Sequence, residues 1–133
     1  MQIFYFTRTG HCENVAHEIA QSYNKTAHKI DDGKDWGGKI NFVKAGAAAA
    51  KREVLPVTHD SIQNDDIIVV FPIWAGTLPP AIRGFLQNIS ANNIIAVTLS
   101  GTSSLKAAEK ELFSKVYEVK GKPMVAPKEV LLK

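Results

Sequence analysis

Short apolar runs at residues 3–6, 66–71 and 94–98 alternate with longer stretches whose apolar residues recur at helical spacing. Few folds accept that alternation. Residues 66–71 read Asp-Ile-Ile-Val-Val-Phe, a run too short and too evenly apolar for a surface helix, which predicts a strand buried on both faces. Residues 3–6 and 94–98 read the same way. Between them, Val15, Ile19 and Tyr23, with Ala16 and Ala20 beside them, form one apolar stripe of a helix over residues 11–23. Residues 26–30 predict a shorter, weaker strand, closed by the polar breaker Asp31, Asp32 and Gly33. In residues 36–53, Ile40, Val43, Ala47 and Ala50 repeat at helical spacing and the alanine run favours helix. Pro79 and Pro80 open a further helix at its first turn, where a missing N–H costs nothing, with Ile82, Phe85, Leu86 and Ile89 as its inner face. Thr102, Ser103 and Ser104 supply caps for a last helix with the stripe Leu105, Ala108, Leu112 and Val116, and residues 117–119 form the last strand. Strands alternating with helices pair in parallel through right-handed crossovers, so the expected architecture is an open, doubly wound α/β sheet.

Composition narrows the function classes. A chain of 133 residues fits one domain spanning 1–133, and 45% hydrophobic with 22% charged residues is ordinary for a globular protein. No N-terminal charged-then-apolar segment resembles a signal peptide, and no apolar run reaches membrane-spanning length, so no membrane partner is expected. The single cysteine, Cys12, excludes an internal disulfide framework and fits a reducing cytoplasm. The net charge of +3 is spread over scattered lysines, a solvated surface rather than a nucleic-acid footprint. Neither a repeat nor a linker divides the chain.

In an open α/β sheet the ligand sits beyond the carboxyl ends of the strands, where strand order reverses. Three strands end there in loops of unusual composition. The first is followed by Thr7, Arg8, Thr9, Gly10, His11 and Cys12, a hydroxyl- and glycine-rich turn opening a helix, whose unpaired first-turn N–H groups attract a phosphate. The strong central strand leads into Pro72, Ile73, Trp74, Ala75, Gly76 and Thr77, and the next into Leu99, Ser100, Gly101, Thr102, Ser103 and Ser104. One loop is an anion cradle, one carries a large aromatic, and one has small polar residues with accessible backbone. Together they suit a ligand with a phosphate and a flat ring.

The Thr-x-Thr-Gly turn, the Pro-x-Trp loop and the Ser-Gly-Thr-Ser-Ser loop, in that order on those elements, resemble flavodoxin over roughly residues 2–116. The stretch with Trp36, Gly37, Gly38, Lys44, Ala45, Gly46, Lys51 and Arg52 is similar to short flavodoxin-like proteins with a helix there. The resemblance implies a five-stranded sheet of order 2-1-3-4-5 and a non-covalent FMN site. Thr7, Arg8, Thr9, Gly10, His11 and Cys12 would wrap the phosphate. Trp74 would stack on one face of the isoalloxazine, and the backbone of residues 73–76 and 99–103 would bond its polar edge. One- or two-electron transfer to an unidentified redox protein or small acceptor is the chemistry implied. Four features depart from the family pattern. His11 and Cys12 stand where Asn and Thr are usual, and residues 99–104 hold no second aromatic, which leaves the other flavin face open or covered by a segment such as Trp36. The closing C-terminal helix is short or absent, so Val130, Leu131 and Leu132, or a partner subunit in a homodimer, are expected to cover that face. The weakly basic charge contrasts with strongly acidic electron carriers.

Individual residues also have plainer readings. A cysteine at a helix N-terminus is expected to have a lowered pKa, which raises a nucleophile reading for Cys12; a Cys-x5-Arg phosphatase loop is excluded because Glu18 stands six residues on, and a buried or phosphate-adjacent thiol is preferred. His11 either bonds phosphate or caps the turn, Arg8 pairs with phosphate or faces solvent, and Trp36 is expected to pack. His17, His28 and His59 show no metal-ligand spacing. Asp31 and Asp32 do not make a phospho-acceptor pocket, because Phe6 and Thr7 stand where the first strand would supply its acids. Three functions follow: an FMN-binding electron-transfer protein, an FMN-dependent NAD(P)H:quinone-type reductase, or a binding or regulatory module of the same fold without the cofactor.

Overall fold

The apolar runs become strands and the periodic stretches helices in a computed structural model that describes residues 1–63 and 66–132. In chain order the elements are β1 (Gln2–Tyr5), α1 (His11–Ser22), β2 (Ala27–Lys29), α2 (Lys39–Ala50), β3 (Asp66–Pro72), α3 (Pro80–Asn88), β4 (Asn93–Ser100), α4 (Ala107–Lys110) and β5 (Lys115–Lys120), with a 3-10 turn at Lys128–Val130. All strands are parallel, in the order β2-β1-β3-β4-β5. Ile3 lies beside Ala27 on one side and Ile68 on the other. The chain steps outward from β1 to β2 and then returns across β1 to β3. The loops leaving β1 and β3 therefore part at the reversal point, opening a crevice at their carboxyl ends.

Alternation along the strands divides the core between two faces. Phe4, Phe6, Val69 and Phe71 pack with Ala45 and Ala49 of α2 and with Ile82 and Phe85 of α3. Ile3, Tyr5, Ile68, Val70 and Leu99 pack against Cys12, Val15, Ile19 and Ala20 of α1. α3 is seated closely: a Cβ on Gly84 would lie 1.8 Å from the Leu55 carbonyl oxygen, and the Leu55 N–H donates to the Pro80 carbonyl at 3.2 Å.

Three elements differ from the expected pattern. In α2 the face against the sheet is Ala45, Ala48 and Ala49, while Ile40 and Val43 of the expected stripe are 75% and 69% exposed. Helical spacing identifies a stripe but not the direction it faces, and three alanines already make a small apolar face. The helix after β4 is one turn long and takes no side-chain cap from Thr102, Ser103 or Ser104. Val116 belongs instead to β5, paired with Ala96, and Leu112 is exposed. What anchors α4 is a charge: Glu109 is buried and ion-paired with Arg83.

At the C-terminus the chain itself covers the α1 face. Ala126 and Val130 are buried there, the Ala126 N–H donates to Glu18 Oε1 at 2.9 Å, and the Tyr23 hydroxyl donates to the Val130 carbonyl at 3.1 Å. A short 3-10 turn with these ties stands where the resemblance implies a closing helix.

Candidate functional site

β1 ends at Tyr5, and Phe6 continues its register by donating its N–H to the Val70 carbonyl at 2.9 Å. The chain then turns. Gly10, at φ 101°, accepts the first helical bond from Asn14 and donates its own N–H to Thr7 Oγ1 at 2.9 Å. That φ is in the left-handed region, which glycine adopts without strain. The Thr7 hydroxyl thus braces the turn from inside. The N–H groups of His11, Cys12 and Glu13 have no backbone acceptor among the described residues, as the geometry of a helix start requires. Cys12 points into the α1 core and is 3% exposed, so desolvation pushes its thiol well above the ordinary range. The expected lowering at a helix N-terminus is reversed because burial outweighs the dipole. A neutral buried thiol is no nucleophile.

The loop after β3 is held from several sides. The Ile73 N–H donates to the Leu99 carbonyl at 3.1 Å. Trp74 and Thr77 exchange backbone hydrogen bonds of 3.1 and 3.0 Å around Ala75 (φ 52°) and Gly76 (φ 75°). Both central residues are left-handed, the signature of a tight hairpin turn. Below it, the buried Glu109 carboxylate accepts from the Thr77 hydroxyl, from the Leu78 N–H at 3.0 Å and from Arg83, which also donates to Thr77 Oγ1 at 2.6 Å. Trp74 is 7% exposed, and its ring sits edge-on to Phe6 and Trp36, with centroids at 5.5 and 5.1 Å. Trp36 in turn donates its indole N–H to Asp32 at 2.7 Å, which makes it the packing residue behind Trp74.

The loop after β4 is the most exposed of the three. Ser100 Oγ donates to the Ser103 carbonyl at 2.7 Å, and Ser104 Oγ donates to Glu118 Oε2 at 2.8 Å. The close ammonium of Lys110 (2.8 Å), with Ser104 and Lys120 beside it, outweighs burial and lowers the Glu118 carboxyl to about 2. Glu118 thereby ties this loop to β5.

The loops converge on two adjoining cavities. One, of about 260 Å³, is lined by Thr7, Arg8, Thr9, His11 and Cys12 together with Pro72, Ile73, Trp74, Leu99, Ser100 and Gly101. The other, of about 720 Å³, is lined by Ile73, Trp74, Ala75, Ser100, Gly101, Thr102 and Ser103 against Val43, Ala45, Gly46 and Ala47 of α2. Of the residues expected from sequence, Gly10, Gly76 and Thr77 line neither: Gly10 caps α1, Gly76 shapes the tight turn, and Thr77 turns inward to Glu109.

Phe42 lines both cavities and Met124 the smaller one; neither was marked by sequence. The available signal for Phe42 was a lone aromatic lying off the stripe of an alanine-rich helix. Arg8 lines the smaller cavity and also reaches across to α2. Its guanidinium donates to the Gly38 carbonyl at 3.0 Å and lies 5.0 Å from the Phe42 ring centroid, tying the turn after β1 to the start of α2. Among the described residues, Arg8 Nε is buried without a hydrogen-bond partner.

The sequence model of the flavodoxin family matches residues 1–126. The chain belongs to the flavodoxin family. Solved structures of the same fold include a flavoprotein from Lactobacillus acidophilus in complex with FMN, at TM-score 0.70 and 15% identity, covering 90% of this chain and 89% of that one. Two Bacteroides proteins described as flavoproteins also superpose. The one from Bacteroides uniformis does so at TM-score 0.69 and 24% identity, over 96% of this chain and 92% of that one. The one from Bacteroides eggerthii does so at TM-score 0.65 and 16% identity, over 92% and 91%. No curated protein matches the chain in sequence. In this flavodoxin-family chain the described residues hold no cluster of three or more His, Cys, Asp or Glu able to bind a metal, and no helix among them is long and apolar enough to cross a membrane.

Proposed function

We propose that this flavodoxin-family protein binds FMN non-covalently and passes electrons through it. The observation that carries the reading is the convergence of the unpaired first-turn N–H groups of α1 and the Trp74 ring on adjoining cavities at the reversal point of the sheet. The N–H groups of His11, Cys12 and Glu13, with the Thr9 hydroxyl, would hold the phosphate. Arg8 adds positive charge beside them. Trp74 and Ile73 form one wall for the ring and Phe42 the facing one, so the second aromatic comes from α2 rather than from the loop after β4. Backbone groups of residues 99–103 and 73–76 serve the polar edge. The thiol of Cys12 stays protonated and supports the turn from the core side. Bound flavin supplies one- or two-electron transfer, and the protein supplies position and electrostatics.

The test is direct. Protein mixed with FMN and desalted retains a yellow band absorbing near ~450 nm, and its tryptophan emission is quenched. Colourless protein with unchanged fluorescence overturns the reading and leaves a cofactor-free binding module. A second reading, an FMN-dependent NAD(P)H:quinone-type reductase, is favoured by the roomy second cavity beside exposed residues 101–104, which leaves space for a small substrate. Anaerobic addition of NADH or NADPH separates the two. Rapid bleaching without a reductase supports the enzyme, and persistence of the yellow colour supports the carrier.

A further inference from the structure

The stripe of α2 that the core does not use begins at the cavity and runs away from it. Val43 and Ala47 line the larger cavity, while Ile40, 75% exposed, carries the same stripe outward. Lys39, Lys44 and Lys51 lie on α2 or at its end beside these apolar residues, and α2 contains no carboxylate. None of these lysines is ion-paired among the described residues. Asp35 and Glu53 share a neighbouring cavity with Lys34, Lys44 and Lys51. The result is an exposed apolar centre with a predominantly basic rim.

A surface of this kind fits a partner with an apolar centre and carboxylates around it. A second copy fits poorly, because a two-fold contact sets the same patch against itself, lysine facing lysine. Position adds the remaining argument. A protein seated on Ile40 and Val43 lies at the mouth of the cavity, within reach of whatever the cavity holds. We propose that this face of α2 docks an acidic electron-exchange protein, the reverse of the acidic-carrier arrangement. The inference names the partner class for the proposed flavin site and rests on that reading for its redox purpose; the docking itself does not require flavin.

The experiment is a titration of the ¹⁵N-labelled protein with an oxidised, strongly acidic [2Fe–2S] ferredoxin, followed by amide chemical shifts. Basic cytochrome c, phosphatidylglycerol vesicles and dilution of the protein alone serve as controls. The expected result is a set of shifts centred on residues 39–51, with affinity falling about tenfold between roughly 20 and 200 mM salt. Lys44→Glu combined with Lys51→Glu weakens binding by a further factor of about ten. Ile40→Ser weakens it with the spectrum otherwise retained. No shifts, shifts elsewhere, or equal shifts with cytochrome c overturn the proposal. So do α2 shifts produced by the vesicles, which mean a lipid surface, or by concentration alone, which mean a second copy. FMN retention is measured on the same sample. Ferredoxin shifts on α2 without FMN retention leave the docking standing and overturn the flavin reading, whereas retention without the shifts does the opposite.

Discussion

The two walls of the larger cavity are built on opposite principles. On one side, Trp74 sits on a turn closed by its own hydrogen bonds, backed by Phe6 and Trp36 and anchored from below by the buried Glu109–Arg83 pair. On the other, α2 meets the core through three alanines and leaves Phe42 63% exposed, with Arg8 as its polar tie to the turn after β1. The first wall is preorganised, because moving it would strand a buried charge. The second can adjust at little cost, since few large side chains hold it. On the proposed flavin reading, the ring would be placed by a fixed face and enclosed by an adaptable one.

That contrast can be broken by mutation. The largest effect is expected from Glu109→Ala, which leaves Arg83 buried beside Thr77 without its acid and lowers stability by about 3–5 kcal/mol in urea unfolding. A loss below about 1 kcal/mol would mean that the Trp74 wall is not anchored by charge. Replacing both partners with apolar residues, Glu109→Leu with Arg83→Met, recovers most of the loss. Next comes the ring contact itself. Trp74→Ala weakens FMN binding by about tenfold or more and by more than Trp36→Ala does, because Trp74 lines the cavities while Trp36 stands behind it. Equal or reversed losses refute this division of roles. Phe42→Ala tests the adaptable wall: FMN affinity falls roughly three- to tenfold while stability stays within about 0.5 kcal/mol, as for a surface substitution. A clear stability loss there would show that α2 is held as firmly as the wall it faces.

The smallest effect concerns the loop that bridges the walls. The folded Glu118 carboxyl is lowered from 4.5 to about 2, so its contribution to stability is present above about 4.5 and is lost as pH falls from there through about 2. The urea midpoint of Glu118→Gln should therefore fall less steeply with acidification than that of the unaltered protein. Parallel curves would remove Glu118 as the tie between Ser104 and β5.

Much of this arrangement is legible in the chain. The run 66–71 reads as a central strand because nothing else accommodates so unbroken an apolar segment, and β3 forms over Asp66–Pro72. Strand-helix alternation dictates parallel pairing, and the family resemblance supplies the strand order. For Cys12 the lowered pKa expected at a helix start fails, while the preferred reading of a buried thiol holds. Its place at a helix start argues for a reactive thiolate, but Val15 and Ile19 share its face and take it into the core. Glu109 was not singled out by sequence. It is one of two glutamates, with Glu111, in a charged stretch that gives no local sign of burial, and only Arg83 and the Thr77–Leu78 segment, brought over it by the packing of α3, explain its burial.

What the sequence alone determines here is the alternation of elements, hence a parallel doubly wound sheet, and the composition of the loops at its carboxyl ends. Those properties depend on residues close together in the chain, whose spacing and turn chemistry act locally. Which way the α2 stripe faces, how deeply Cys12 is buried and what holds Glu109 were settled by the tertiary structure. Each depends on burial against residues distant in sequence, and burial is a property of the assembled core rather than of any single stretch.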